Sequence, residues 1–252
     1  MMSSWHGLRI VVTGGGSGIG AAVVRRAVTL GAEVLSIGRC AETLDNVAED
    51  ATAEGPGRAF VHRDDVTAAD APGRIAATAQ HYLGGVDALV NNAGTAQFER
   101  LEDASLDYLR IMLETNVVAP AVLTQAMLPA LRSSQGCVVN VSSVGGVLAM
   151  PGRSFYGVSK AALNSLTRSL AVELAPWVRV NAVLPGPVDT NLWDTAAGDG
   201  ADDLRASIVR GTPMARFGEP EEVAAWICHL IDPITAGWVT GSLVAVDGGR
   251  TA

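Results

Sequence analysis

Charge is scarce in this 252-residue sequence: Asp, Glu, Lys and Arg make up 17% of it, against about 25% in an ordinary soluble domain. With hydrophobic residues at 48%, so low a charge content argues against a disordered chain, a coiled coil and a halophilic surface. It leaves enough apolar side chains for a large core. Basic residues are outnumbered 18 to 26, the net charge is −8, and no Lys/Arg run occurs. Neither nucleic-acid phosphate nor an anionic membrane is therefore expected as a partner. Cysteine is sparse too: Cys40, Cys137 and Cys228 form no Cys-x-x-Cys pair, which argues against zinc and dithiol exchange and fits reduced cytosolic thiols. His6, His62, His81 and His229 lack any His-x-x-x-His or His-Glu-x-x-His spacing, so no metal site is expected. There is no run of about 18 uninterrupted apolar residues and no basic leader before an apolar stretch. A soluble cytoplasmic protein is the expectation.

What is present is a regular alternation. Short apolar, β-branched runs at Leu8–Thr13, Glu33–Ile37, Arg58–His62, Ala88–Asn91, Cys137–Val141, Val178–Val183 and Leu243–Val246 read as seven buried strands. Between them lie helix-length segments at about 18–30, 41–54, 67–83, 104–131, 154–175 and 219–231, with Ser17, Thr67, Ser105 and Pro220 as starts. Strand–helix repetition predicts an α/β fold with a parallel sheet covered on both faces. No linker or composition shift divides the chain, so residues 1–252 are expected to form a single doubly wound Rossmann domain. The stretch from Leu184 to about Thr212, rich in Pro and Gly and carrying Trp193, reads as one long irregular lid.

Glycine is clustered, and the first cluster carries chemistry. Thr13-Gly14-Gly15-Gly16-Ser17-Gly18-Ile19-Gly20 joins the first strand to an amphipathic helix. Such a turn aims backbone N–H groups and the positive helix end at an anion, and missing side chains let a pyrophosphate come close. The spacing is Gly-x-x-x-Gly-x-Gly; no Gly-x-Gly-x-x-Gly frame fits, and the P-loop lysine is missing. Farther on, Tyr156 and Lys160 stand four apart in a helical pattern, which puts them on one face about 5–6 Å apart at Cβ. A neighbouring ammonium favours phenolate and would lower the tyrosine pKa toward working pH. Taken alone, such a pair is common and reads first as an ordinary surface pair. Ser143 follows the strand ending Val138-Val139-Asn140-Val141, at the carboxyl edge where open parallel sheets place their sites.

Thr13–Gly20, Asn91-Asn92-Ala93-Gly94, Asn116, Asn140-Val141-Ser142-Ser143, Tyr156/Lys160 and Pro185-Gly186-Pro187-Val188-Asp189-Thr190 together resemble the short-chain dehydrogenase/reductase family. The resemblance extends through Arg216–Ala224 to Val246-Asp247-Gly248-Gly249 and so covers nearly the whole chain. It implies that Tyr156 is the general acid/base and that Ser143 fixes the substrate oxygen. Lys160 would lower the tyrosine pKa and hold the nicotinamide ribose, and Asn116 would position a water linking Lys160 to solvent. The same resemblance implies a nicotinamide cofactor held by Gly14, Gly16, Ser17, Gly18, Ile19 and Gly20, by Arg39, Asp65 and Val66, and by Asn92, Ala93 and Gly94. Tyr156 and Lys160 also belong to that set, with Pro185, Gly186, Val188 and Thr190 fixing the carboxamide. The doubled Asp64-Asp65 leaves two registers for the adenine contact. Asn91 would bridge neighbouring strands.

The implied activity is hydride transfer between nicotinamide and a secondary alcohol or ketone. A non-catalytic nicotinamide sensor or structural subunit on the same fold is the alternative, as is dehydration or epimerisation on the same scaffold. At the end of the second strand Gly38 stands where NAD-preferring members of the family carry an acidic residue, and Arg39 follows. A guanidinium suits phosphate oxygens, so NADP is expected over NAD. A homotetramer is expected from the family and from the apolar residues on segments 104–131 and 154–175.

Overall fold

The computed structural model describes residues 5–192 and 201–252, the side chains of 201–204 excepted. The chain order is β1 (Arg9–Thr13), α1 (Gly18–Leu30), β2 (Glu33–Gly38), α2 (Ala41–Glu54), β3 (Arg58–Arg63), α3 (Ala71–Leu83) and β4 (Ala88–Asn91). There follow α4 (Leu106–Leu113), a π-helical turn (Glu114–Val118), α5 (Ala119–Ser134), β5 (Cys137–Val141), a 3-10 turn (Val144–Gly146) and α6 (Ser154–Leu174). The last part holds β6 (Arg179–Pro185), α7 (Ala201–Arg210), α8 (Pro220–Ile231), α9 (Pro233–Ala236) and β7 (Leu243–Val246). The strands form one parallel sheet in the order β3-β2-β1-β4-β5-β6-β7. The α/β doubly wound architecture is the one the alternation predicted. Its strand order reverses between β1 and β4, and a crevice opens at the carboxyl ends there.

Strand side chains alternate between two cores because successive Cβ atoms point to opposite faces. Ile10, Val12, Val90 and Val139 pack with α1 and α8, while Val11, Leu89 and Val138 pack with α3, α5 and α6. All of these strand side chains are fully buried. Burial on both faces is why the inner strands read as continuous apolar runs in the sequence; β3 and β7, also expected to be buried, lie at the sheet edges and hold no fully buried residue.

Three segments differ from expectation by more than a residue or so at an end. The helix expected at 67–83 begins at Ala71, because Asp65 captures Thr67 first: its Oδ1 accepts from the Thr67 N–H at 3.0 Å and hydroxyl at 2.7 Å. The segment 104–131 is a longer helical run, Leu106–Ser134, capped by Ser105 and interrupted by the π turn. It is 29 residues long and, by composition, apolar enough to cross a membrane, yet Met112, Asn116, Leu123, Met127 and Leu131 are buried in the fold. The stretch 184–212 is not wholly irregular, since β6 extends to Pro185 and α7 occupies Ala201–Arg210. Trp193, expected near the pocket, lies outside the described residues.

Candidate active site

The turn from β1 to α1 is shaped by packing that only glycine permits. Gly14 has φ +66°, and a Cβ on Gly20 would lie 2.1 Å from the Gly14 carbonyl oxygen. The turn after β4 is tied to it: Asn92 Nδ2 donates to the Thr13 and Gly14 carbonyls at 2.9 and 3.1 Å. In return Thr13 Oγ1 accepts from the N–H groups of Asn92 and Ala93, both at 3.0 Å. Ser17 sits at the N-cap of α1 without a side-chain capping bond, and no acidic residue occupies the first turn. The helix thus presents N–H groups that its own side chains leave for an anion.

A cleft of about 660 Å³ runs from this turn across the sheet edge. At one end Gly38, Arg39, Asp64, Asp65 and Val66 line it. Asp64 is held by a fork from Arg74, Nε at 3.0 Å and Nη2 at 2.6 Å, with His62 Nε2 at 3.3 Å. The Arg74 fork, aided by the Asp65 N–H, holds the Asp64 carboxyl below the usual carboxylate range. Asp65 is held low mainly by the Thr67 N–H and hydroxyl, which occupy Oδ1 alone. Of the two registers the sequence left open, the one using Asp65 keeps a carboxylate oxygen for a ligand.

At the other end β5 delivers Ser143 and α6 delivers Tyr156 and Lys160. Ser143 is buried and extended, φ −168°, and its Oγ accepts from the Gly145 N–H at 3.0 Å. Tyr156 lines the same wall as Ser143, and Phe98 meets its ring edge-on with centroids 5.7 Å apart. One helical turn on, Lys160 Nζ donates to the Val141 carbonyl at 3.0 Å and lies 5.9 Å from the Tyr156 ring centroid. Burial pushes the Lys160 pKa down to about 8. The expected depression of the tyrosine pKa by Lys160 is not found: burial pushes the phenol up, and the opposing pulls come from Ser143 and Arg153. The physical reason is that Tyr156 and Lys160 are desolvated together, and burial disfavours the charged form of each.

Asn116 stands behind this wall on the π turn. Its Oδ1 accepts from the Thr95 N–H at 2.9 Å, and its Nδ2 donates to the Thr95 carbonyl at 2.9 Å and to Ser159 Oγ at 3.0 Å. The side chain clamps the turn after β4 to α6. Gly94 permits the approach: a Cβ there would lie 3.2 Å from Asn116 Oδ1 and 3.5 Å from Lys160 Nζ. Asn91 Nδ2 reaches Asn140 Oδ1 on β5 at 2.9 Å and so bridges the two strands as expected. After β6, Thr190 closes over Gly18, whose added Cβ would meet Thr190 Cγ2 at 3.0 Å.

The cleft therefore gathers Gly14, Gly16, Ser17, Gly18, Ile19, Arg39, Asp65, Val66, Asn92, Ala93, Gly94, Ser143, Tyr156, Lys160, Pro185, Gly186, Val188 and Thr190. Gly20 and Asn116 lie outside its wall and support it. The family model described as enoyl-(acyl carrier protein) reductase matches residues 14–251, spanning the Gly-rich turn, the Ser–Tyr–Lys group and the closing strand. The chain belongs to the short-chain dehydrogenase/reductase family. It is 39% identical over 245 residues to the cis-4-hydroxycyclohexanecarboxylate dehydrogenase of Sinomonas cyclohexanicum, covering 96% of each chain. A crystal structure of a short-chain type dehydrogenase/reductase from Mycobacterium marinum superposes with a TM-score of 0.92 at 31% identity, covering 100% of this chain and 98% of that one. L-sorbose reductase from Gluconobacter frateurii, complexed with NADPH and L-sorbose, gives a TM-score of 0.91 at 28% identity over 100% and 99% of the chains.

Sequence reasoning missed Phe98, Met150, Arg153, Leu192, Ile208 and Arg250, which wall the reacting end. Arg153 carried a local signal, since it stands three residues before Tyr156 and just ahead of α6. Arg250 carried none, because only the tertiary fold brings the C-terminal segment to this end of the cleft.

Proposed function

We propose that the whole chain works as one NAD(P)-dependent oxidoreductase domain that interconverts a secondary alcohol and a ketone. The observation that carries this reading is that Ser143, Tyr156 and Lys160 line the same cleft as the uncapped start of α1. The residues fit a dinucleotide: the Gly-rich turn makes a cradle that side chains would fill, and Asp65 retains an oxygen for the adenine amino group. A nicotinamide bound here supplies or accepts the hydride. Tyr156 holds the proton that moves to or from the substrate oxygen, and Ser143 donates to that oxygen as negative charge develops on it. Lys160 Nζ, next to Gly94 and Val141, holds the ribose hydroxyls. A panel of alcohols and ketones followed by nicotinamide absorbance tests the reading, and no turnover of any member with either cofactor would refute it.

NADP is the expected cofactor. Arg39 lines the adenosine end on the exposed rim, and its carbonyl is held by Arg63 Nε at 3.0 Å. Gly38 offers no carboxylate to repel a 2′-phosphate, while the guanidinium offers a fork of donors to it. Steady-state kinetics with both cofactors should favour NADP in kcat/KM. A preference for NAD of about tenfold, or about 1.4 kcal/mol, would mean that Arg39 does not read the phosphate.

The chain is further expected to assemble as a homotetramer. Tyr108 and Val122 on the Leu106–Ser134 run and Val158 and Val172 on α6 face outward as exposed apolar side chains, suited to a symmetry-related copy. Sedimentation at micromolar concentration should show the oligomer, and a monomer there would overturn it.

A further inference from the structure

Two arginines that the reaction does not use share the substrate end of the cleft. Arg153 precedes α6 and lies over the Phe98 ring, its guanidinium carbon 4.4 Å from the centroid, while Phe98 itself touches the reacting Tyr156. Arg250 enters from the C-terminal segment after β7. Its Nη1 donates to the Ile208 carbonyl at 3.3 Å and to Thr212 Oγ1 at 3.1 Å. Among the described residues its Nε and Nη2 make no hydrogen bond and it joins no ion pair. Both arginines line the same cavity as Ser143 and Tyr156. Around them the wall is apolar: Phe98, Val144, Met150, Leu192 and Ile208.

The charges of this cavity are divided. Asp64 and Asp65 stand at the adenosine end, whereas the charged residues described at the reacting end are Arg153, Lys160 and Arg250, all cationic. Like charges that share one cavity raise each other's cost, and an anion held between them offsets it. Burial is the first influence lowering the Arg153 pKa and the Arg250 charge is the second, so the two guanidinium groups feel one another. A planar fork of N–H donors matches carboxylate geometry.

We propose that the substrate is a hydroxy- or oxo-carboxylic acid, with its carboxylate held between Arg153 and Arg250, its apolar skeleton against Phe98, Met150 and Ile208, and its reacting carbon at Ser143 and Tyr156. This deepens the oxidoreductase reading and rests on it for the position of the reacting carbon. The anion site itself stands apart from turnover.

Two measurements separate the claims. The first offers linear and alicyclic oxo-carboxylates of graded length, each beside its own methyl ester, to the enzyme with NADPH or NADH. The acid should exceed its ester in kcat/KM, and Arg153→Met or Arg250→Met should each cut that preference about tenfold to a hundredfold, as expected for charge-assisted hydrogen bonds. Arg153→Lys should restore part of it. Esters turned over as well as their acids would overturn the proposal. The second uses cyclohexanecarboxylate, which has no group to oxidise or reduce, and follows the Tm of the cofactor-bound protein. A rise in wild type that is smaller in Arg153→Lys and absent in both Met variants supports the anion site. No rise in wild type overturns it. If the Tm rises but no acid or ester turns over, the anion site stands and the oxidoreductase reading falls.

Discussion

Tyr156→Phe is expected to remove most turnover, by about 10²–10⁴-fold, the usual worth of a positioned acid–base group. Cofactor affinity should fall far less than turnover, since the other residues of the cofactor cleft are untouched. The substitution deletes only the phenolic hydroxyl and leaves the ring edge against Phe98 and the fold of α6 as they are. Burial holds the phenol above its ordinary pKa, so near neutral pH it carries the proton that ketone reduction needs. Alcohol oxidation needs the phenolate, so its rate in the wild type should climb as pH rises, and the Phe variant should lose that dependence. Measuring kcat/KM in both directions across pH checks both parts. A variant that keeps more than half of wild-type activity would show that Tyr156 is not the proton carrier.

Lys160→Met should cost activity and cofactor affinity together. Lys160 is the only lysine in the chain, and its buried Nζ stands between the Val141 carbonyl and Gly94. We expect kcat/KM to fall at least about a hundredfold, because a group with two roles carries both the acid–base contribution and a charged hydrogen bond. With its pKa lowered to about 8 by burial, the free protein loses the ammonium as pH rises through that value. The charged form is the one that donates to ribose hydroxyls and attracts phosphate, so the cofactor Kd should rise above about pH 8 in wild type and stay flat in the Met variant. Titration by fluorescence or calorimetry at several pH values checks the sign. Being the sole lysine gives a second readout: reductive methylation should modify one side chain, and bound cofactor should protect it. A loss of activity with the Kd and its pH dependence unaltered would remove the ribose contact.

Much of this molecule is local and was legible in the chain. The inner strands needed apolar, β-branched runs because the sheet is buried on both faces there, and all seven runs stand in the sequence where β1 to β7 stand in the fold, although the edge strands β3 and β7 are only partly covered. The Gly-rich turn was readable because a Cβ at position 20 would lie 2.1 Å from the Gly14 carbonyl oxygen, which leaves room for glycine alone. Tyr156 and Lys160 were readable because four residues make one helical turn. Their joint role came from the order of motifs along the whole chain rather than from any one spacing.

What the sequence left open depended on partners distant in the chain. Asp64 and Asp65 are chemically identical, and it was Arg74, ten residues on, that took the first and left an oxygen of the second. The π turn at Asn116 leaves the apolar pattern of Leu106–Ser134 intact, so periodicity passed over it; the clamp to Thr95 and Ser159 exists only once α4, β4 and α6 meet. The Tyr156 pKa lies opposite to what a one-turn spacing from Lys160 implies, because spacing gives proximity of charge and says nothing of desolvation, which here is the larger effect. Arg153 and Arg250 are 97 positions apart in the sequence. Local residue patterns determined the layers, the turn and the reactive pair; only the folding of the C-terminal segment back over the sheet edge put two like charges into one cavity.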